Sequence, residues 1–358
     1  MGNKVLVLGL TPQGLSVLRV LAREGVEVIS FYNNQRNVGR YSKYGEKIFF
    51  EDIDDLKDKI MELLRTLNYK PLCYITSGEI LASVLRDFPE IYSLCRVISG
   101  PYEVIEKLAH KNIMYDIAIA KGLNVARFIT LDKYSKGDLN FPLFIKRNYE
   151  ISLFFKADLI PDEKKMNEYL RKIKPEQKKD IILQEYISIP DSNLNEISVQ
   201  TFFVKGEPKG FLICNQKERL SKGLTAYLEE IDDLEIRNKM KTLCSSFMRD
   251  LHYTGFAEFE FMYDTQKKEL FFIEVNTRTC GLQSSLNHKF SNLGQILKSP
   301  FDAPPLIERQ NHLKWINIQR DLRARFQKKN FSNLSIFYQS SYDILDFDDI
   351  RPFIRQFF

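Results

Sequence analysis

Two runs of residues decide the fold: Gly255-Phe-Ala-Glu-Phe-Glu-Phe-Met-Tyr-Asp264 and Glu269-Leu-Phe-Phe-Ile-Glu-Val-Asn-Thr-Arg278. Each run is rich in aromatic and β-branched residues, and a short polar segment separates them. This pattern predicts an antiparallel hairpin. Because successive side chains of a strand point to opposite faces, Glu274, Asn276 and Arg278 share one face of it.

The register of this hairpin sets carboxylates against each other. With a centre of symmetry at Lys267, Glu260 lies opposite Glu274, and Glu258 lies opposite Asn276. Opposed carboxylates repel, so the pairing is favourable only if a cation lies between them. Carboxylate and amide oxygens are ligands that suit Mg²⁺. A solvated acidic face balanced by nearby basic side chains is the alternative, and the spacing leaves both open.

The first hundred residues alternate between strand-like and helix-like segments. Residues 4–9 and 26–31 are short apolar runs, and residues 12–24 between them carry leucines at helical spacing. Residues 72–76 and 80–94 repeat the alternation, which predicts a parallel α/β sheet. The turn after the first run lacks the GxGxxG spacing, and the second run does not end in an acidic residue. Both observations disfavour NAD binding.

Beyond residue 100 the pattern changes and antiparallel elements dominate. The sequence predicts one helix over residues 102–121 and strands over residues 141–147, 153–160 and 181–187. It also predicts a hairpin over residues 196–214 and an amphipathic helix over residues 234–251.

Composition limits the class of partner. The 358 residues contain 52 Lys and Arg against 47 Asp and Glu, a formal excess of +5 that is too small to predict nucleic-acid binding. The five cysteines, at 73, 95, 214, 244 and 280, form no CxxC pair, so we expect buried thiols rather than a zinc site. No apolar run is long enough to cross a bilayer and no signal peptide is evident, so we expect a cytoplasmic protein.

Several segments in this order resemble the ATP-grasp carboxylate–amine ligases. The closest resemblance is to the branch with D-aspartate ligase-like and carbamoyl-phosphate-synthase-like proteins. The segments are Pro142-Leu-Phe-Ile-Lys146, Leu183-Gln-Glu-Tyr-Ile187, Glu196-Ile-Ser-Val199 and Glu274-Val-Asn-Thr-Arg278, preceded by residues 97–111. The resemblance implies an α/β chain, α+β in its catalytic part, with the ATP-grasp fold. It implies an N-terminal Rossmann-like domain over residues 1–105, a small subdomain over 106–180 and a large subdomain with its tail over 181–358.

The resemblance also implies an ATP site. Lys111 and Lys146 would contact the phosphates, and Glu196 would hold the ribose hydroxyls. The hinge formed by Gln184, Glu185, Tyr186 and Ile187 would bind adenine, through backbone groups of Glu185 and Ile187.

The metal and substrate roles follow from the same resemblance. Glu260, Glu274 and Asn276 would hold Mg²⁺ or Mn²⁺, and Arg278 would contact phosphate or the substrate carboxylate. Arg219, with Lys217 as the second candidate, would approach the γ-phosphate. The chain departs from the family at four places: His110 replaces an Asp, Thr277 replaces a Pro, the loop after Lys146 has no glycine, and Lys222-Gly-Leu-Thr-Ala226 lacks the Tyr-Pro-Pro pattern of D-aspartate ligase relatives. The substrate of those relatives is therefore not carried over.

The expected function is an ATP-dependent ligase. It would activate a carboxylate as an acylphosphate and join it to an amine, releasing ADP and phosphate. One alternative is an amino-acid ligase acting on a cell-wall or polysaccharide precursor, and another is a non-catalytic ATP-binding sensor. The expected partners are small molecules, with no nucleic acid and no membrane, and homodimer formation is left open.

Overall fold

Three β-sheets organise the chain. The computed structural model describes residues 4–149, 157–220 and 224–357, and the side chains of residues 218–220 lie outside that description. Within the described residues, no helix is both long and apolar enough to cross a membrane. All five cysteines are buried and free, as the sequence predicted.

The first sheet contains five parallel strands in the order β3-β2-β1-β4-β5. Its strands are β1 (Val5–Leu8), β2 (Val28–Tyr32), β3 (Glu46–Phe49), β4 (Leu72–Ile75) and β5 (Arg96–Val97), and the helices that connect them are α1 (Pro12–Arg23), α2 (Ile53–Arg65), α3 (Gly78–Asp87) and α4 (Ile91–Leu94). The predicted parallel α/β sheet is therefore confirmed. Helix α1 approaches the sheet so closely that a Cβ at Gly14 would lie 1.9 Å from the carbonyl oxygen of Gly9.

The helix predicted over residues 102–121 is two helices, so that prediction is wrong. They are α5 (Tyr102–Ala109) and α6 (Lys111–Ala120), and His110 between them has an extended backbone, with φ −91° and ψ 111°. The His110 ring stacks on Tyr149 at 4.0 Å between centroids. The backbone N–H of Lys111 donates to the carbonyl of Asn148 at 2.7 Å. These contacts outside the helices stabilise the break and place Lys111 at the first position of α6.

The second sheet is antiparallel, with strand order β6-β9-β7-β8. Its elements are β6 (Phe128–Thr130), β7 (Leu143–Arg147), β8 (Asp158–Ile160), α7 (Glu163–Leu170) and β9 (Ile181–Glu185). Of the strand predicted over residues 153–160, the last three residues form β8, and residues 153–156 lie outside the described residues. The division of the chain at residues 105/106 and 180/181 stays a prediction.

The third sheet has seven strands in the order β14-β13-β10-β11-β12-β15-β16. They are β10 (Leu194–Val204), β11 (Glu207–Leu220), β12 (Leu224–Glu230), β13 (Gly255–Asp264), β14 (Glu269–Asn276), β15 (Lys314–Ile316) and β16 (Ser341–Tyr342). Only the pairing of β15 with β16 is parallel. The accompanying helices are α8 (Leu234–Arg249), α9 (Gln283–Lys289), α10 (Leu293–Lys298), α11 (Ile318–Lys328), α12 (Ile336–Gln339) and α13 (Arg351–Ile354).

The hairpin of β13 and β14 has the predicted register at the end that lies away from its turn. Glu258 pairs with Asn276 and Glu260 pairs with Glu274, but Phe261 then pairs with Phe272. The extra residue on β14 is a bulge, which increases local twist and re-aims the neighbouring side chains. The hairpin is therefore not symmetric along its whole length.

The C-terminal tail packs on α1. The buried guanidinium of Arg19 donates to the Asp349 carboxylate at 3.0 Å and to the carbonyl of Ile344 at 2.9 Å. The Ser42 hydroxyl donates to the same carboxylate at 2.6 Å. Burial by itself would raise the pKa of Asp349, but the hydrogen bonds from Ser42, Lys43 and Arg19 outweigh burial and lower it. The tail thus closes onto the N-terminal sheet.

Candidate active site

At the end away from its turn, the β13–β14 hairpin carries a polar cluster of Glu260, Glu274, Asn276 and Arg278. The Asn276 amide nitrogen lies 3.4 Å from Glu260 Oε1 and 3.5 Å from Glu274 Oε1. Arg278 Nη2 donates to Asn276 Oδ1 at 3.2 Å. The three side chains that alternation predicted on one face, Glu274, Asn276 and Arg278, therefore form one cluster with Glu260, which the register placed opposite Glu274. The bulge does not separate them, because it lies between this cluster and the turn.

A third carboxylate lies on the same face. Glu258 is buried and accepts a hydrogen bond from the Ser198 hydroxyl at 2.7 Å. Burial raises the pKa of Glu258. The hairpin register predicts Glu258 opposite Asn276 but indicates no function for it, and only its burial distinguishes it from a surface acid.

Lys111 reaches this cluster from α6. Its Nζ lies 2.7 Å from Glu274 Oε2, and both side chains are partly buried. The positive charge of Lys111 lowers the pKa of Glu274 to about 2, so this carboxylate is ionised at any physiological pH. The two residues are 163 positions apart in the sequence, and the short contact depends on the break between α5 and α6.

Lys146 comes from β7 and faces the same cleft. Its ammonium donates to Gln184 Oε1 at 2.7 Å and to the Tyr115 hydroxyl, and it lies 5.0 Å from the centroid of the Tyr115 ring. Burial lowers the pKa of Lys146 to about 7, and the positive charge of Lys111 adds to the effect. The neutral amine form of Lys146 is therefore populated near neutral pH and gains a proton when an anion binds beside it.

Tyr115 is a cleft residue that the sequence analysis missed. Its hydroxyl donates to the carbonyl of Ile273 at 3.0 Å while it accepts from Lys146, so it bridges β14 and β7. The sequence could have indicated Tyr115, because it follows Lys111 by four residues in a predicted helix and residues four apart lie on one helix face.

The predicted adenine hinge comprises the last two residues of β9 and the two residues that follow it. Gln184 is buried, and Glu185 directs its carboxylate to Arg127 Nη1 at 3.2 Å and to the Asn140 N–H at 2.9 Å. Tyr186 is exposed, and its N–H donates to the carbonyl of Pro142. The Gln184 side chain thus accepts a hydrogen bond from Lys146. The Glu185 carboxylate is already hydrogen-bonded to Arg127 and Asn140. Ile187 follows in the same connection and borders a cavity with Glu185.

For the remaining predicted site residues, the structure gives mainly the position on a strand or loop. Glu196 lies on β10 two residues before Ser198, the register partner of Glu260, so it shares the sheet face of the cluster. Arg219 lies in β11 opposite Thr225, but its side chain is outside the described part of the structure. Lys217 is exposed and borders a cavity beside α11. In the glycine-free loop, residues 150–156 lie outside the described residues.

The chemistry of this cleft suits a polyphosphate with a divalent cation. Two ammonium groups and one guanidinium surround carboxylates that repel each other, and the donor atoms are hard oxygens. Within the described ranges, no group of three or more His, Cys, Asp or Glu side chains could hold a metal ion. A cation here would therefore use two carboxylates, one amide and oxygens of the ligand.

A known protein-family model matches the part of the sequence that contains this cluster. The family model for the carbamoyl-phosphate synthase L chain, ATP binding domain, matches residues 226–289, which contain the whole β13–β14 hairpin. No curated protein matches the sequence.

Solved structures match over most of the chain. The N5-carboxyaminoimidazole synthetase of Staphylococcus aureus matches with a TM-score of 0.71 at 16% identity, covering 92% of this chain and 86% of that one. The biotin carboxylase domain of 2-oxoglutarate carboxylase from Hydrogenobacter thermophilus, solved with MgADP and bicarbonate, has a TM-score of 0.67, 16% identity, and coverage of 85% and 70%. The L-amino acid ligase of Bacillus licheniformis has a TM-score of 0.63, 18% identity, and coverage of 86% and 75%. The chain has the ATP-grasp fold, and the predicted resemblance to ATP-grasp carboxylate–amine ligases is confirmed.

Proposed function

We propose that this chain is an ATP-dependent ligase that activates a carboxylate as an acylphosphate and joins it to an amine, forming an amide or peptide bond. The observation that carries the proposal is the cluster of Glu260, Glu274 and Asn276 with its surrounding cations. Lys111 bonds Glu274 and Arg278 bonds Asn276, and the nearby charge of Lys146 helps to lower the pKa of Glu274. Fixed cations around hard oxygen ligands stabilise the charge of a phosphoryl group during its transfer. The solved relatives named above, which include ligases and a carboxylase domain, support the same class of reaction.

The nucleotide would lie between the second and third sheets. Lys111 and Lys146 would bind the phosphates, and Glu196 would accept hydrogen bonds from the ribose hydroxyls. Adenine would lie at the hinge of Gln184, Glu185, Tyr186 and Ile187. Because protein groups already bind the Glu185 carboxylate, adenine recognition there would use the backbone.

Glu260, Glu274 and Asn276 fit a magnesium or manganese ion. Their polar atoms already meet within 3.5 Å, and the opposed carboxylates gain from a cation between them. Asn276 would turn its amide so that the oxygen replaces the nitrogen at the carboxylates. A bound Mg²⁺ would neutralise phosphate charge and orient the transferred group.

The chemistry needs no nucleophile from the protein. Arg278 would hold the substrate carboxylate, whose oxygen forms a bond to the γ-phosphorus while the bond from that phosphorus to ADP breaks. The amine nitrogen then attacks the acyl carbon, the carbon–oxygen bond to phosphate breaks, and the nitrogen loses a proton to solvent. The work of the chain is positioning and charge stabilisation, with Arg219 a further proposed contact to the γ-phosphate.

The experiment is a coupled assay for ADP release with Mg²⁺, a panel of carboxylates and hydroxylamine as the amine. Turnover would give a hydroxamate, which is measured by colour with ferric ion. Arg278→Lys is expected to lose at least about tenfold in kcat/KM, because a lysine lacks the planar fork that binds a carboxylate. Arg309→Lys, at an exposed arginine, is the control.

Two results would count against the proposal. Tight binding of MgATP without ADP release across the panel would favour the non-catalytic sensor. Equal activity of the Arg278→Lys variant would remove Arg278 from the substrate site. A second set of assays replaces hydroxylamine with free amines and with amines carried on polymer precursors, and follows ADP release. A cytoplasmic location and a homodimer stay predictions.

A further inference from the structure

Helix α6 lies along the edge of the sheet that carries the metal cluster. Strand β14 stands at one end of the seven-stranded sheet, so its outward N–H and C=O groups need partners other than a strand. The Tyr115 hydroxyl donates to the carbonyl of Ile273 at 3.0 Å, and the Val275 N–H donates to Met114 Sδ at 3.5 Å. Two residues of α6 thus hold the strand on either side of Glu274.

The carbonyl that Tyr115 binds belongs to the bulge of β14. Ile273 is the extra residue of the strand, because it lies between the pair of Glu260 with Glu274 and the next pair toward the turn. A bulge leaves the regular ladder and re-aims the side chains beside it. The hydrogen bond to Ile273 therefore fixes the backbone from which the Glu274 carboxylate projects.

The same phenol oxygen also contacts the lysine of the second sheet. The Lys146 ammonium donates to the Tyr115 hydroxyl, whose own proton goes to the Ile273 carbonyl. Another acceptor of this ammonium is Gln184 Oε1 at 2.7 Å. One oxygen atom therefore joins the strand of the metal cluster to the lysine proposed to bind phosphate.

The ring of Tyr115 is held on two sides. The side chain is fully buried, and its ring lies 5.0 Å from that of Phe128 on β6 and 6.3 Å from that of Phe272 on β14, measured between centroids. Packing of the ring keeps the hydroxyl in one place. A phenylalanine would keep both ring contacts and remove only the oxygen, so Tyr115→Phe is a specific perturbation.

We infer that Tyr115 is a positioning residue that couples the two halves of the site: it holds Lys146 for the phosphates and the bulge of β14 for the metal ligand Glu274. The inference rests on the proposed function, in which Lys146 binds phosphate and Glu274 binds the metal ion. Tyr115 acts through these two residues. Loss of its hydroxyl removes a hydrogen bond from the Ile273 carbonyl and from the ammonium at once, so both halves of the site lose alignment.

The experiment measures binding of a non-hydrolysable ATP analogue by calorimetry, first without a divalent cation and then with Mn²⁺. The metal-free affinity reports the lysine side of the site, and the gain in affinity on adding Mn²⁺ reports the metal side. Tyr115→Phe is expected to lower the metal-free affinity about tenfold, because a hydrogen bond to a charged group is lost. It is also expected to lower the gain from Mn²⁺ about tenfold, because the group that orients a metal ligand is lost.

Tyr74→Phe is the matched control. Tyr74 on β4 is also buried, and its hydroxyl donates to the carbonyl of Leu297 at 2.6 Å. Each variant loses one hydrogen bond from a buried tyrosine to a carbonyl, so both are expected to lower the free energy of unfolding in urea titrations to a similar extent. Only Tyr115→Phe is expected to change the two affinities. Unchanged affinities in Tyr115→Phe would show a purely structural role and overturn the inference.

A double-mutant cycle with Lys146→Met tests the path of the effect. In the Lys146→Met background, Tyr115→Phe is expected to leave the metal-free affinity unchanged, because the ammonium that it positions is absent. It is still expected to lower the gain from Mn²⁺. A further fall in the metal-free affinity as large as in the wild type would overturn the inference, because Tyr115 would then act without Lys146. A gain from Mn²⁺ that Tyr115→Phe does not change would also overturn it.

These binding measurements need no turnover, so they separate the inference from the proposed function. If the wild type binds the analogue with Mn²⁺ and Tyr115→Phe behaves as Tyr74→Phe does, the proposed ATP site survives and the positioning role is refuted. If the wild type does not bind the analogue with Mn²⁺, the proposed function fails and the inference fails with it.

Discussion

Binding of ATP above neutral pH is expected to take up a proton at Lys146. In the free protein, burial and the charge of Lys111 lower the pKa of Lys146 to about 7, against an ordinary value of 10.5. Phosphate oxygens beside the ammonium favour its charged form and raise the pKa again. The nucleotide would therefore bind the protonated lysine selectively.

The size of the effect follows from the population of the protonated form. With a pKa of about 7, roughly one tenth of the free protein carries the proton at about pH 8 and roughly one hundredth at about pH 9. If only that form binds well, the apparent Kd for ATP rises about tenfold for each pH unit above neutrality. Proton uptake at about pH 8 is then about 0.9 per nucleotide bound.

The lowered pKa of Lys146 also makes the stability of the unliganded protein depend on pH. Between about pH 7 and 10.5 the unfolded chain holds a proton on Lys146 that the folded chain has released. The unfolded state then binds more protons, so this group makes the unliganded protein more stable as the pH rises through that range.

The assay is isothermal titration calorimetry with MgATP analogue in two buffers of different ionisation enthalpy at about pH 8. The dependence of the observed heat on the buffer enthalpy gives the number of protons taken up. Lys146→Arg keeps the positive charge but does not titrate near neutrality, so its proton uptake and pH dependence are expected to disappear. Lys136→Met changes an exposed lysine that is paired with Glu163 and should behave as the wild type does.

The reasoning would be refuted by proton uptake near zero in the wild type. It would equally be refuted if Lys146→Arg took up as many protons as the wild type, because the titrating group would then lie elsewhere.

Two further substitutions test the metal site and the tail. Glu274→Gln removes a carboxylate from the proposed metal site and is expected to lower Mg²⁺-dependent ADP release at least about 100-fold. Glu269→Gln, at the exposed end of the same strand, should leave the rate unchanged, and equal rates for both variants would exclude Glu274 as a ligand. Asp349→Asn leaves the buried Arg19 guanidinium without its carboxylate and is expected to lower the free energy of unfolding by about 3 kcal/mol in urea titrations, whereas Asp348→Asn, at an exposed carboxylate, should have no effect. Because the pKa of Asp349 is lowered, the wild type should lose this contribution as the pH falls below 3.8, and a variant with the same acid sensitivity would contradict the assignment.

Much of the hairpin could be predicted because its signals are local. Alternation of apolar and polar residues sets which side chains share a face, and the polar turn sets which residues pair. Glu260 therefore lies opposite Glu274 as expected. The bulge at Ile273 could not be predicted, because an extra residue on one strand leaves the alternation of the other intact.

The break at His110 shows where local signals are insufficient. Residues 102–121 have the periodicity of one helix, and His110 carries no helix-breaking signature. The break depends on contacts with Asn148 and Tyr149, which are remote in sequence. It matters for function because it aims Lys111 at Glu274.

The sequence by itself determined the parallel N-terminal sheet, the hairpin with its carboxylates, and the order of the basic and acidic segments that resemble the ATP-grasp ligases. These features depend on alternation, turns and spacing, which operate over a few residues. Only the tertiary structure decided which cations reach which carboxylates, that Tyr115 bridges two sheets, and that Glu258 is buried. Burial and contact between distant segments arise from packing of the whole chain, and the same packing lowers the pKa of Lys146.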